Sequence, residues 1–543
     1  MTVRPLRRGL WVVAFAGSGV VAAAQAPDSL IVAAARWRSI GPALASGRLS
    51  DVVGIPGPSK TLFVAAAAGG VWKSGNNGVT WRPVFDDKRV ASMGVLAIAA
   101  TDTQVIWAGT GEANLRYPSE PGGGVFKSTD GGSSWQLMGL ERTERIGRIV
   151  VHPKDPNIVY VAALGALYGR TTERGLYKTS DGGKSWVLSK FIDDRTGFVD
   201  IAMDPRNPDV LYATSWQVRR TAYSLESGGP GSALWKTENG GRTWTEIVGH
   251  GFPTGVKGRI GVAVAPSNPD IVYALTEAAR PGTGTTYVPE YHAPFSGLYR
   301  SADAGRTWAK TSDYNDRPFY YSQVRVDPRD SERIYFSSSP LQFSVDGGKT
   351  SRLAAQGVHI DTHGIWIDPS DPERWAIADD GGFSITFDKG GTFLSPMNLP
   401  VAQFYHVGLD NAVPYRVCAG AQDNGVLCGP SRRKSGSTTN ADWSLEQGGD
   451  MAYAIPDPSD PQVWYTESTS GMLTRLNLQT GEATTARKPH WEARYQWWED
   501  SIATVRGNPL APAPKAVIDA IKMLRVRQHQ DSLDLDIRFG WDA

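Results

Sequence analysis

Short runs of apolar residues recur along the chain, each closed by a polar turn. The run ending at Val150-Val151 leads into a turn at 152–157 (HPKDPN), and a second run, Ile158 to Leu164 (IVYVAAL), follows at once. Runs of this length, rich in β-branched and aromatic residues and bounded by Pro, Asp, Asn and Gly, predict strands rather than helices. Reading strand ends from the turns places the first strand of nine successive units near Ile55, Ile98, Val151, Met203, Val264, Val326, Ile367, Leu409 and Ile455. Four strands fit in each unit, the spacing of β-propeller blades.

Between the third and fourth strand of seven units stands an octapeptide, S/T-x-D/N-x-G-x-S/T-W. Five copies are close to this form: Ser74 to Trp81, Ser128 to Trp135, Thr179 to Trp186, Thr237 to Trp244 and Ser301 to Trp308. Two are degenerate, Ser344 to Ser351 and Thr386 to Phe393. The Asp or Asn side chain can satisfy turn amides, Gly supplies a positive φ, and the closing aromatic gives a packing anchor. The octapeptide resembles the Asp-box, or bacterial neuraminidase repeat, of sialidases, sortilin-type receptors and xyloglucan-cleaving hydrolases. That resemblance implies a strand hairpin in a propeller and leaves the activity open.

The expected fold is all-β: a seven-bladed Asp-box propeller over residues 36–396, followed over 397–487 by the start of a second propeller, with one larger ring of the sortilin type as the alternative. Arg36 to Ile40 (RWRSI) resembles the strands that follow the boxes, so pairing it with the last blade would close the ring and remove an exposed edge. Over 488–536 the period changes to a helical one, with Trp491, Tyr495, Trp498, Ile502 and Val505, then Val517, Ile521 and Leu524 after a Pro-rich break. A helical hairpin inserted in the second propeller is predicted there. Residues 537–543 resemble the beginning of a further strand.

Composition adds the compartment. Arg4, Arg7 and Arg8 precede an apolar run from Leu10 to Ala24, and Ala24-Gln25-Ala26 offers a cleavage site, so residues 1–26 read as a signal peptide. The chain is expected to be exported, to the periplasm or beyond, with no membrane span. A formal charge of +1 among 543 residues gives nucleic acid no electrostatic handle. The two cysteines, Cys418 and Cys428, are expected to form a disulfide across a hairpin.

Candidate chemistry falls on the face opposite the boxes, where the loops between second and third strands swell to 112–124, 165–175, 215–233 and 277–297. Arg219, Arg220, Tyr223, Tyr287, Tyr291 and His292 suit sugar or peptide recognition. At the start of the seventh unit, His359, Asp361 and His363 alternate along a strand, a set that could bind a divalent metal or line a polar site. Asp379, Asp380, Asp423 within Gln422-Asp-Asn424, Asp450 and Glu112 fall on the same face. Glycoside hydrolysis needs two carboxylates, and Asp379, Asp423, Asp450 and Glu112 are the candidates. Gln422, Asn424, Asp380, Arg220, Tyr223 and the His359 set are expected to bind ligand; no organic cofactor is expected.

From Trp37 to about Gly481 the chain resembles large bacterial sortilin-like, glycosyl-hydrolase-like proteins, in SGRLSD, GGVWKS, GTGEAN, ERIGR, AQDNG and TNADW. In the xyloglucanases a catalytic Asp stands two residues before a Gly-Gly pair; the matching pair is Gly69-Gly70, and Ala67 stands in place of the acid. The setting of the second acid resembles Asp379-Asp-Gly-Gly-Phe383. Arg48, Arg148 and Arg259 each follow a Gly near a first strand, in registers that do not match a sialidase arginine triad. Two functions follow: binding of a glycan, peptide or partner protein on the loop face, or glycoside hydrolysis through paired carboxylates.

Overall fold

The structure is a computed structural model describing residues 38–41, 46–115, 119–221, 224–279, 295–436, 438–468, 471–486, 500–502, 504, 520–521, 523–525 and 527. Residues 41–543 form one compact unit and Met1–Ile40 another. The signal peptide, Trp37, most of the 488–536 segment and residues 537–543 lie outside the described residues; helical backbone is present at 500–502, 504 and 520–521.

Among the described residues nine antiparallel sheets follow one another along the chain, each a meander in sequence order apart from one extra strand, Leu225–Ser227, that pairs with Leu211–Arg220 off the main path. They span residues 49–83, 93–137, 146–190, 196–247, 257–312, 324–353, 362–386, 404–447 and 451–486, here sheets 1 to 9. Their first strands end at Gly54, Ile98, Val151, Met203, Val264, Val326, Ile367, Leu409 and Pro456. The turn chemistry therefore located every one to within a residue. First strands of successive sheets lie against one another from sheet 1 to sheet 6 and again between sheets 8 and 9, and the first strand of sheet 1 also packs on sheet 7.

Shared apolar cores explain that order. Sheets 1 and 2 meet around Phe63, Leu96 and Trp135, sheets 2 and 3 around Trp107 and Val161, and sheets 3 and 4 around Tyr160 and Phe198. Tyr212 and Val262 join sheets 4 and 5, Tyr273 and Phe336 join 5 and 6, and Tyr335 and Trp375 join 6 and 7. Leu49, Val64, Ala376 and Phe383 then join sheet 7 back to sheet 1. Shared apolar cores thus link sheet 1 to sheet 7 in order and sheet 7 back to sheet 1. Sheets 8 and 9 share a separate core around Cys418, Met451 and Trp464. The fourth position of sheet 7, expected for the Trp37 segment, is taken by the chain's own Leu394, bridged to Ile385.

The boxes act as turn staples. In the second copy, Asp130 Oδ1 accepts from the amides of Ser133 and Ser134 at 2.9 and 2.8 Å, and Ser128 Oγ accepts from Gly132 N at 2.8 Å. A lysine on the preceding sheet reaches across to each of three boxes: Lys73, Lys127 and Lys178 donate to the carbonyls of Gly131, Gly182 and Gly240 at 2.6, 3.2 and 2.8 Å. Donated hydrogen bonds stabilise the ionised carboxylate, so Asp130, Asp303, Asp346 and Asp388 are all lowered from 3.8 to about 2. Depressed folded-state values contribute stability above the ordinary carboxylate range, and that contribution is lost as pH falls through about 2. A thermal scan from pH 5 to pH 2 should show a steadily falling midpoint, and Asp130→Asn should flatten part of that fall.

Cys418 and Cys428 are cross-strand partners in sheet 8 and form the expected disulfide, ten residues apart in sequence. Closing a loop of that size removes about 3 kcal/mol of unfolded-chain entropy. The Cys418→Ala/Cys428→Ala pair should lose about that much in chemical denaturation of the sheet 8 and 9 region.

Candidate functional site

Strand ends bring distant residues together over the loop face. Arg48 immediately precedes the first strand of sheet 1, and Glu112 follows the second strand of sheet 2. Tyr320 and Tyr321 precede the first strand of sheet 6, and Asp361 precedes that of sheet 7. Asp379 ends the strand Trp375–Asp379, with Asp380 in the turn beyond it. Gln422, Asp423 and Asn424 form the turn between Arg416–Ala421 and Gly425–Pro430 of sheet 8.

Asp380 is the hub. Its Oδ1 accepts from Arg48 Nη1 at 2.5 Å and from His363 Nε2 at 2.8 Å, and its Oδ2 accepts from Tyr320 Oη at 2.7 Å. Arg48 also donates its Nε to Glu112 Oε1 at 2.9 Å, and Asn424 Nδ2 donates to the Asp380 carbonyl at 3.0 Å. Arg48, Glu112, His363 and Asp380 are all buried. Burial alone would lower the Arg48 guanidinium, but Asp380 and Glu112 hold it well above its ordinary value. It is the cation that pairs with both buried carboxylates.

Asp423 has a different environment. It is half-buried, and no hydrogen-bond donor among the described residues reaches its carboxylate. Burial, then the charges of Asp380 and Asp450, push its carboxyl up to about 8, against a smaller opposing pull from Arg48. Its backbone φ of +57° is left-handed, a region where Gly or Asn costs least and where a carboxylate is worth a functional explanation. Asp379 is raised well above its ordinary value by burial and then by Asp380; its Oδ1 accepts from Gly381 N at 2.8 Å, while its buried Oδ2 has no partner. Asp450 accepts the Asp423 backbone amide at 3.3 Å.

Asp379, Asp423, Asn424 and His359 line one cleft of about 600 Å³ between sheets 7 and 8, with Phe383 and Leu427 among its apolar walls. A volume of that order suits part of a polymeric ligand.

The expected His359, Asp361, His363 set does not converge on one point. His359 Nδ1 accepts the Asp361 amide at 3.4 Å, Tyr321 Oη donates to Asp361 Oδ1, and His363 is committed to Asp380 between the rings of Tyr320 and Tyr321. Asp361, Asp380 and Asp423 instead gather, offering oxygens within 4.8 Å of one another. Three carboxylates so placed could hold a divalent ion, although three donors already occupy Asp380.

The remaining residues sort by alternation and burial. Gln422 is buried, with Oε1 unpaired. Arg220 is buried in sheet 4, where its amide donates to Leu167 O at 3.1 Å, while neighbouring Arg219 faces outward. Tyr223, Tyr287, Tyr291 and His292 lie outside the described residues. Ala67 is buried and its amide donates to Arg48 O at 3.1 Å, so the first sheet supplies no acid at the position resembling the xyloglucanase acid. Arg148 is committed to Asp200 at 2.9 Å, and Arg259 to Asn114 Oδ1 and the carbonyls of Phe319 and Tyr320. The three arginines therefore serve separate contacts. Arg259 fixes the loop that aims Tyr320 at Asp380. Arg48 and Tyr320 were missed as site residues by sequence reasoning; the need of several clustered acids for one buried cation was the available signal.

Fold and repeats together define an Asp-box β-propeller related in fold to the xyloglucanases. The Sortilin-Vps10 family (sortilin, neurotensin receptor 3) matches residues 123–257. The chain is 24% identical over 302 residues to the oligoxyloglucan-reducing end-specific xyloglucanase of Emericella nidulans, covering 47% of this chain and 36% of that protein. It is 22% identical over 357 residues to a xyloglucanase of a Paenibacillus species, covering 53% of this chain and 34% of that protein. The chain thus spans about a third of the length of these curated relatives. Among solved structures, the GH74 enzyme of Niastella koreensis superposes with a TM-score of 0.50 at 16% identity, over 82% of this chain and 73% of that one. Among the described residues no helix is long and apolar enough to cross a membrane.

Proposed function

We propose that this chain is an exported glycoside hydrolase that cleaves a polysaccharide in the cleft between sheets 7 and 8. The observation that carries this reading is Asp423, a cleft carboxyl raised to about 8 and therefore protonated at neutral pH. Such a group can protonate a departing glycosidic oxygen, and Asp361, held by Tyr321 beside it, is the second carboxylate that attacks or activates water. Asp380, saturated by three donors, positions rather than reacts, and Glu112 serves to balance Arg48.

The xyloglucanase relatives support glycan as the substrate class, while Ala67 leaves sheet 1 without an acid at that position and the candidate carboxyls on sheets 7 and 8. Sheet 7 and the chain around it supply one wall of the cleft, and sheet 8 the other.

Incubation with xyloglucan and a panel of other plant and bacterial polysaccharides should release new reducing ends. Ala67 also favours a second reading, in which the loop face captures a glycan or protein without turnover. Stable complexes with no reducing ends released by the unmodified protein would select that reading.

A further inference from the structure

A second polar site lies on the loops over sheets 3 and 4. Arg170, Arg195 and Arg219, with Gln217 and Glu226, line a pocket of about 150 Å³. The arginines come from three separate loops: the one joining Val159–Ala163 to Gly175–Thr179, the one preceding Thr196–Met203, and the hairpin made by Leu211–Arg220 and Leu225–Ser227. All three side chains are exposed. Arg170 approaches Asp194 only at 4.0 Å, and neither Arg195 nor Arg219 forms an ion pair with a described residue.

Beneath the wall stands a fourth guanidinium. Arg174 is fully buried; its Nη2 donates to the carbonyls of Ala166 and Gly169 at 2.6 and 3.3 Å, but its Nε and Nη1 have no hydrogen-bond partner. Gly169 itself lines the pocket, so Arg174 pins the loop bearing Arg170, with Asp193, Asp194 and Glu144 close enough to act on its charge. Converging guanidinia on rigid loop bases are the arrangement that recognises planar or tetrahedral oxyanions.

The two sites complement each other. The cleft is lined by the acids Asp379 and Asp423, whereas this pocket is lined by arginines and suits an acidic group. We propose that this pocket binds the anionic substituent, a carboxylate or a sulfate ester, of an acidic polysaccharide. The choice of polysaccharide as the carrier rests on the glycan reading of the cleft; the pocket itself is tested by binding and needs no turnover.

The test uses the full chain carrying Asp423→Asn, with affinity measured against polygalacturonate, a sulfated carrageenan, neutral xyloglucan and poly-glutamate. At least one acidic glycan should bind, and the carboxylate and sulfate arms show which substituent is read. Arg170→Gln/Arg195→Gln/Arg219→Gln should weaken that binding at least tenfold at low salt while leaving any xyloglucan affinity unchanged. Arg219→Gln alone, an exposed change, should move affinity in the same direction at an unaltered melting temperature. Equal affinity of triple variant and parent for every glycan, binding of poly-glutamate alone, or no acidic glycan bound would overturn the proposal. Absence of turnover in the unmodified protein would sink the hydrolase reading and leave this measurement intact.

Discussion

Asp423→Asn should lose about 10²- to 10⁴-fold in turnover, the usual contribution of a positioned general acid, and should at the same time be more stable than the parent. The second half follows from linkage. Asp423 has a folded-state value of about 8, above its ordinary 3.8, so the folded protein holds its proton more tightly than the unfolded chain. Stability is therefore lost as pH rises from the ordinary carboxylate range through about 8. An amide carries no such penalty. The melting temperature of Asp423→Asn should exceed the parent's at pH 8, and the margin should shrink toward pH 4. Loss of activity with loss of stability at every pH would instead assign Asp423 to the fold. Asp361→Asn should lose turnover comparably.

Arg48→Met should be the most destabilising single change at the site. It removes the one cation bonded to both Glu112 and Asp380 and leaves two buried carboxylates facing each other. Breaking a buried pair in this way costs about 3–5 kcal/mol. Adding Glu112→Gln to Arg48→Met should recover part of the loss, since the carboxylate left without its cation is then neutral. Denaturant midpoints of the three proteins measure this, and equal midpoints for Arg48→Met and the parent would mean that the ion pairs add nothing.

Much of this molecule was legible from local signals. Turns such as HPKDPN marked the strand ends, the boxes marked the tight hairpins, and the ten-residue spacing of Cys418 and Cys428 marked a cross-strand bridge. Each of these depends on residues close together in sequence. The acids Asp361, Asp380 and Asp423 were recognised because strand and turn positions fix the face they occupy. Arg48 and Asp380 are 332 residues apart, and their pairing exists only because sheet 7 packs back onto sheet 1. No window of sequence contains that contact. Strand alternation also decides matters one residue at a time: Arg219 faces outward and Arg220 inward, a phase set by where the Leu211–Arg220 strand continues past sheet 4 into its own hairpin. The histidines at 359 and 363 were expected to act with Asp361, but His363 turned to the stronger acceptor, Asp380, and His359 to the backbone.

The central claim is that the Asp423 carboxyl donates the proton in the cleft, and the pH dependence of kcat/KM on a released-sugar assay tests it most directly. An alkaline limb is expected near pH 8, and Asp450→Asn, which removes one of the charges raising Asp423, should shift that limb to lower pH. A profile flat from pH 6 to pH 10, or a limb that stays in place when Asp450 is neutralised, would contradict it.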